Sequence, residues 1–121
     1  MNSFRKLNVY IRAKELVKHI YELIKKFPRE EQYALCDQLR RAVISIPSNL
    51  AEGSGRQSEK DQAHFYTIAY GSLMEVLSQL DVACDLGYIT QDELNKVEVL
   101  INEEAKMLCG LIAMRQETSK L

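Results

Sequence analysis

The segment Gln38–Gly55 reads QLRRAVISIPSNLAEGSG, and it sets the terms for every other part of the chain. Leu39, Val43, Ile46 and Leu50 recur at intervals of three or four residues, which puts them on one face of a helix. Pro47 interrupts that pattern. A proline in a helix interior removes one backbone hydrogen bond and costs roughly 3 kcal/mol. Leu50 keeps the helical phase beyond it, so the spacing predicts a helix that kinks at Pro47 and continues. Ser45 and Asn49 flank the proline and are expected to satisfy backbone groups that it frees. Glu52 is expected to hydrogen-bond backbone groups around the following turn, where Gly53 and Gly55 suit a left-handed helix stop. The segment reads as a structural device, with no catalytic constellation in it.

With 121 residues there is room for one domain with a real core, and not for two. Hydrophobic residues make up 46% and charged residues 27%, the balance of a soluble globular protein. Only two prolines and five glycines interrupt a chain rich in Leu, Ile, Glu, Lys and Gln, which predicts an all-α fold. No apolar run approaches the ~18 residues that cross a membrane, and the charged N-terminus lacks a signal-peptide core. A cytoplasmic location without membrane contact is expected. Cys36, Cys84 and Cys109 are far apart in sequence, without the close pairing that zinc needs, and read as buried structural thiols. No metal or other cofactor is expected, and His19 and His64 read as surface or packing residues.

Hydrophobic periodicity divides the chain into four helices, at about 9–26, 29–53, 58–87 and 90–116. The first has Asn8 as a candidate N-cap, and Val9, Ala13, Leu16, Ile20, Leu23 and Phe27 on one face. Pro28 closes it and suits the first turn of the second, where Glu30 and Glu31 favour the helix dipole. The third opens on a capping box, Ser58 to Asp61, and carries the seam Tyr66, Ala69, Leu73, Val76, Leu80, Ala83 before Gly87 ends it. The fourth opens on a second box, Thr90 to Glu93, and Glu117–Leu121 is expected to fray. Connections of a few residues predict an antiparallel up-down-up-down four-helix bundle, a single domain over 1–121.

On a wheel, Leu94, Val97, Ile101, Ala105, Leu108 and Ile112 of the fourth helix share one side. Leu100, Met107, Leu111 and Met114 flank it and widen the apolar arc beyond what one core needs, so they are expected to meet other copies. The charges are sorted as well. Residues 1–28 hold seven basic against two acidic side chains, and residues 58–89 hold one basic against five acidic. Lys14, Lys18 and Lys25 follow helical spacing, and Arg40, Arg41 and Arg56 extend the basic set from the second helix. Such a face suits phosphates. It equally suits open solvent, or the acidic third helix of a neighbouring copy. No interleaved aromatic platform or RNA-binding motif accompanies it in the sequence. For an enzyme the only candidate polar cluster is Glu52, His64 and Glu75, without the Glu-x-x-His pattern of bundle metal sites. No enzymatic activity and no small-molecule substrate are expected.

Five motifs together carry a resemblance. They are F-x-x-L-x-V-Y-x-x-A from Phe4 to Ala13, F-P-x-E-E from Phe27 to Glu31, Q-L-R-R-A from Gln38 to Ala42, S-I-P-S-N-L-A-E-G from Ser45 to Gly53, and G-S-L-x-E from Gly71 to Glu75. In this order they resemble the four-helix-bundle proteins encoded in 23S rRNA intervening sequences, a family itself similar to the accessory proteins of diversity-generating retroelements. Many members carry Trp where this chain has Tyr10. The resemblance implies an antiparallel bundle assembled as a homopentamer, with no known catalysis. It also implies an association with RNA or with a nucleic-acid-processing protein.

Overall fold

The computed structural model describes residues 3–119, and among them are four α-helices and no strand. α1 spans Asn8–Ile24, α2 Leu35–Ser54, α3 Glu59–Asp85 and α4 Gln91–Ser119. Short 3-10 turns occupy Ser3–Lys6 and Arg29–Glu31. Each helix packs on its neighbours in the chain, α4 closes back onto α1, and the backbones of the diagonal pairs stay apart. Partners across the α2–α3 and α1–α4 seams run in opposite chain directions. Ser45 meets Ser72 while Ser54 meets Tyr66, and Arg12 meets Glu103 while Lys26 meets Glu93. The arrangement is a four-helix bundle.

The predicted seams supply its core. Leu16, Ile20, Leu39, Ile46, Leu50, Leu73, Leu80, Ile101 and Leu108 are almost wholly buried, and Tyr66 with them. At roughly 1.5–3 kcal/mol for each large apolar side chain removed from water, these stripes dominate the stability of the fold.

α2 passes through Pro47 without a break, with Pro47 itself buried. The carbonyl deprived by a proline is that of the residue four earlier, here Val43. Asn49 Nδ2 instead donates to the carbonyl of Ser45 at 2.8 Å and to its hydroxyl at 2.9 Å, and Ser72 Oγ joins the same hydroxyl at 2.9 Å. Ser45 and Asn49 therefore tie the proline turn to α3 as well as to itself.

Gly53 does something other than stop a helix. Its φ is negative, and Gly87, at φ 80°, is the positive-φ glycine among the described residues. A Cβ on Gly53 would lie 2.7 Å from Tyr66 Cε1 and 3.0 Å from Phe65 Cβ. Glycine is needed there because α3 presses Tyr66 against the α2 backbone. Glu52 likewise turns outward to Arg56, at 2.6 Å, and not to the backbone of the turn.

Three further expectations are corrected. α2 begins at Leu35 and not at Arg29, because Pro28 is extended and Ala34 departs from helical angles. Burial of Phe27 and the 2.8 Å hydrogen bond from Tyr88 to Glu31 draw this segment over the end of the bundle, and these tertiary contacts override helix propensity. Asn8 is the first helical residue; Leu7 holds the cap position without a side-chain bond. Cys36 is buried, but Cys84 is only half-buried and Cys109 is exposed.

The second capping box is complete, and of the first the Ser58 cap is present. Ser58 accepts from the Asp61 amide, while Thr90 and Glu93 each bond the other's backbone N–H. At the end of α3, the Tyr88 amide reaches the Ala83 carbonyl and the Gly87 amide the Cys84 carbonyl, with Ile89 folded into the core. α4 runs on to Ser119, beyond the expected fraying point at Glu117; Lys120 and Leu121 lie outside the described residues.

Candidate nucleic-acid interface

α1 is continuous from Asn8 to Ile24, so residues spaced by four and seven share one of its faces. Lys14 and Lys18 come together there, and Lys25 follows just past the last turn. The same stripe holds Tyr10 and Tyr21, four residues from Lys14 and Lys25 respectively. The expectation that no aromatic residues interleave with the cations is corrected here, since Tyr10 and Tyr21 line the same groove as the lysines. Their signal was present in the spacing Tyr10, Lys14, Tyr21, Lys25.

α2 supplies the other wall of the groove. A hollow of about 340 Å³ lies between Tyr10, Lys14, Val17 and Lys18 on α1 and Ile44, Pro47 and Ser48 on α2. A second, of about 300 Å³, lies at the end of the same two helices, with Tyr21, Lys25, Arg29 and Arg40 among its lining residues. Together the two hollows present five cationic side chains and no carboxylate. Arg29 was not among the residues singled out from sequence, which put it at the start of the second helix, whereas it lies in the separate turn Arg29–Glu31.

The six predicted basic contacts are not one surface. Lys14, Lys18, Lys25 and Arg40 line the α1–α2 groove. Arg40 Nη2 donates to the Gln32 carbonyl at 2.7 Å, which pins it over the groove end beside Cys36. Burial pushes the Cys36 thiol up from its ordinary range, with Arg40 opposing, so it stays a thiol. Lys25 also reaches Glu22 at 2.9 Å, but both groups are largely in solvent, where such pairs contribute little. Arg41 is paired with Asp37 at 3.3 Å. Arg56 lies at the opposite end of α2, paired with Glu52 and stacked over Phe65 with its guanidinium carbon 4.6 Å from the ring centre.

Charge also divides the molecule at a larger scale. Residues 1–58 carry eleven basic and six acidic side chains, whereas residues 59–121 carry five basic and eleven acidic. A net charge of -1 thus conceals a positive half made of α1 and α2 and a negative half made of α3 and α4.

The four apolar residues assigned to an interface between copies occupy two settings. Leu100, Met107 and Leu111 are half-buried against the chain's own core, and Met114 is 57% exposed. Val82, Leu86 and Val99 are also exposed, at 46%, 54% and 57%.

Glu104 is the polar residue that sequence reasoning missed. It is 1% exposed, and neither carboxyl oxygen has a hydrogen-bond partner. The spacing Val97, Ile101, Glu104, Leu108 put it on the core seam, but its residue type argued for the surface. Burial pushes its carboxyl up to about 8, against the opposing pull of Arg12. Among the described residues no three His, Cys, Asp or Glu side chains are grouped to hold a metal ion. The Glu52, His64 and Glu75 set is not assembled either. Glu52 pairs with Arg56, His64 packs edge-on to Phe65 at 5.5 Å, and Glu75 accepts from Gln79 at 3.4 Å. No helix among the described residues is long and apolar enough to cross a membrane.

The model of the 23S rRNA-intervening sequence proteins matches residues 5–110, which takes in all of α1–α3 and most of α4. The chain belongs to that family. The whole bundle also resembles a crystal structure from Bacteroides thetaiotaomicron, described as a protein of unknown function from the S23 ribosomal protein family. The two are 25% identical with a TM-score of 0.79, over 86% of this chain and 97% of that one. No curated protein matches the chain. Neither the family's description nor the neighbour's states an enzymatic activity.

Proposed function

We propose that this member of the family is a non-enzymatic, homo-oligomeric adaptor of the cytoplasm that engages RNA through the α1–α2 groove. One observation carries the reading. In a chain of net charge -1, five cations line two adjoining hollows that contain no carboxylate. Sorting of that kind serves a polyanion better than it serves stability, since like charges along one groove repel. Lys14, Lys18, Lys25, Arg29 and Arg40 are the contacts. Arg41 and Arg56 line neither hollow and take a minor part. Exposed Val82, Leu86, Val99 and Met114 supply apolar surface for association of copies, and the family resemblance implies five of them.

The test is RNA affinity of the triple variant Lys14→Glu, Lys18→Glu, Lys25→Glu. The wild type binds RNA at low salt, and the variant loses at least about tenfold on any sequence, because phosphate contacts carry no sequence information. Absence of binding by the wild type would overturn the proposal. The division into a positive and a negative half supports a second reading, a protein scaffold whose copies pair α1–α2 against α3–α4. It expects the mass from light scattering to fall towards a single 13.9 kDa chain in high salt, whether or not RNA is present.

A further inference from the structure

Resting on that reading, we infer that the occupant of the α1–α2 groove is single-stranded RNA, with a base stacked on Tyr21 between the lysine-bound phosphates. Cations alone would serve any nucleic acid. The groove also offers surface that a duplex has no use for. Tyr21 is 38% exposed, and among the described residues no other ring and no cation is seated on its own ring. Ile44 is 42% exposed on the facing helix, beside Pro47.

A duplex turns its bases inward and presents a phosphate cylinder, which would meet the lysines and leave the tyrosine and isoleucine against water. An unpaired strand can place phosphates on Lys14, Lys18 and Lys25 and a base face on the ring between them. The three lysines extend over about 16 Å at 1.5 Å per residue, the reach of a few nucleotides. Tyr10 is a less open platform. Phe4 packs edge-on against it with ring centres 4.9 Å apart, and the Lys14 ammonium lies 5.4 Å above its centre. Charge complementarity also leaves an acidic protein segment as a rival occupant, and the test separates it from RNA.

Fluorescence anisotropy at low salt would compare a labelled RNA of about a dozen unpaired nucleotides with the same sequence as a blunt duplex. The single strand should bind roughly tenfold tighter to the unmodified protein. Tyr21→Leu should cost the single strand roughly tenfold and the duplex less than about twofold, whereas Tyr21→Phe keeps the preference. Equal affinity for the two forms, or a silent Tyr21→Leu, would overturn the inference while lysine-dependent binding left the proposed function standing. Poly-glutamate competing as well as RNA would overturn it in favour of an acidic partner. No binding of either RNA removes both.

Discussion

The α2–α3 seam and the α1–α4 seam are built from the same kind of heptad pattern, yet they are held together differently. Along α2–α3 a glycine admits Tyr66 to the helix backbone, and a chain of hydrogen bonds runs from Asn49 through Ser45 to Ser72. Along α1–α4 the polar contacts are ion pairs of partly solvated groups, Arg12 with Glu103 and Lys26 with Glu93, and the core holds an unpartnered carboxyl. α1 is also the shortest of the four helices, and it approaches its neighbours least. The helix that displays the lysines is thus the one with the least close backbone packing against the rest of the bundle. The closest packing lies between α2, one wall of the groove, and α3 behind it.

The largest expected effect on stability lies at Glu104. Its folded-state pKa is about 8 against 4.5 unperturbed, so the folded chain keeps a proton that the unfolded chain gives up. Stability from this group is therefore highest below its unfolded value of 4.5, falls as pH rises, and levels off above about 8. At pH 7 the penalty is on the order of 3 kcal/mol, taking about 1.4 kcal/mol per pKa unit. Glu104→Leu should raise stability at pH 7 by roughly 2 kcal/mol and flatten the fall between about pH 5 and 8 in urea titrations. A variant that tracks the wild type across that range would erase this contrast between the two seams.

An effect of similar size and opposite sign is expected at Gly53. Alanine usually improves a helix by up to about 1 kcal/mol over glycine, but here its methyl would strike a fully buried tyrosine. Overpacking of this kind costs roughly 1–3 kcal/mol, so Gly53→Ala should lower the thermal midpoint by several degrees. A midpoint that rises would show that α2 and α3 have room to separate. The α2–α3 seam would then be no tighter than its counterpart.

How much of this was legible in the sequence follows from what each feature depends on. Helix positions and core stripes are local periodicities, and Leu16, Leu39, Leu73 and Leu108 are buried where spacing put them. The passage of α2 through Pro47 was readable from Leu50 keeping phase. Features set by contact between helices were not. Gly53 looked like a helix stop because nothing local announces Tyr66. Glu104 drew no reading at all, because its charge argues for the surface while its spacing argues for the core. The cysteines were judged as a class, and Cys109 falls on the outer side of α4. Among the basic residues, Lys14, Lys18 and Lys25 formed a stripe by spacing alone. Which arginines joined them depended on which side of α2, and which end of the bundle, each occupies, and Arg40 and Arg29 line the groove while Arg41 and Arg56 do not.

The dependence of RNA affinity on salt addresses the groove itself. If three to five cations of α1–α2 sit on phosphates of a single strand, a plot of log affinity against log salt should fall with a slope of about -2 to -3.5. A slope near zero with affinity intact would mean that the cations of the groove do not hold the RNA, and the functional reading would be lost.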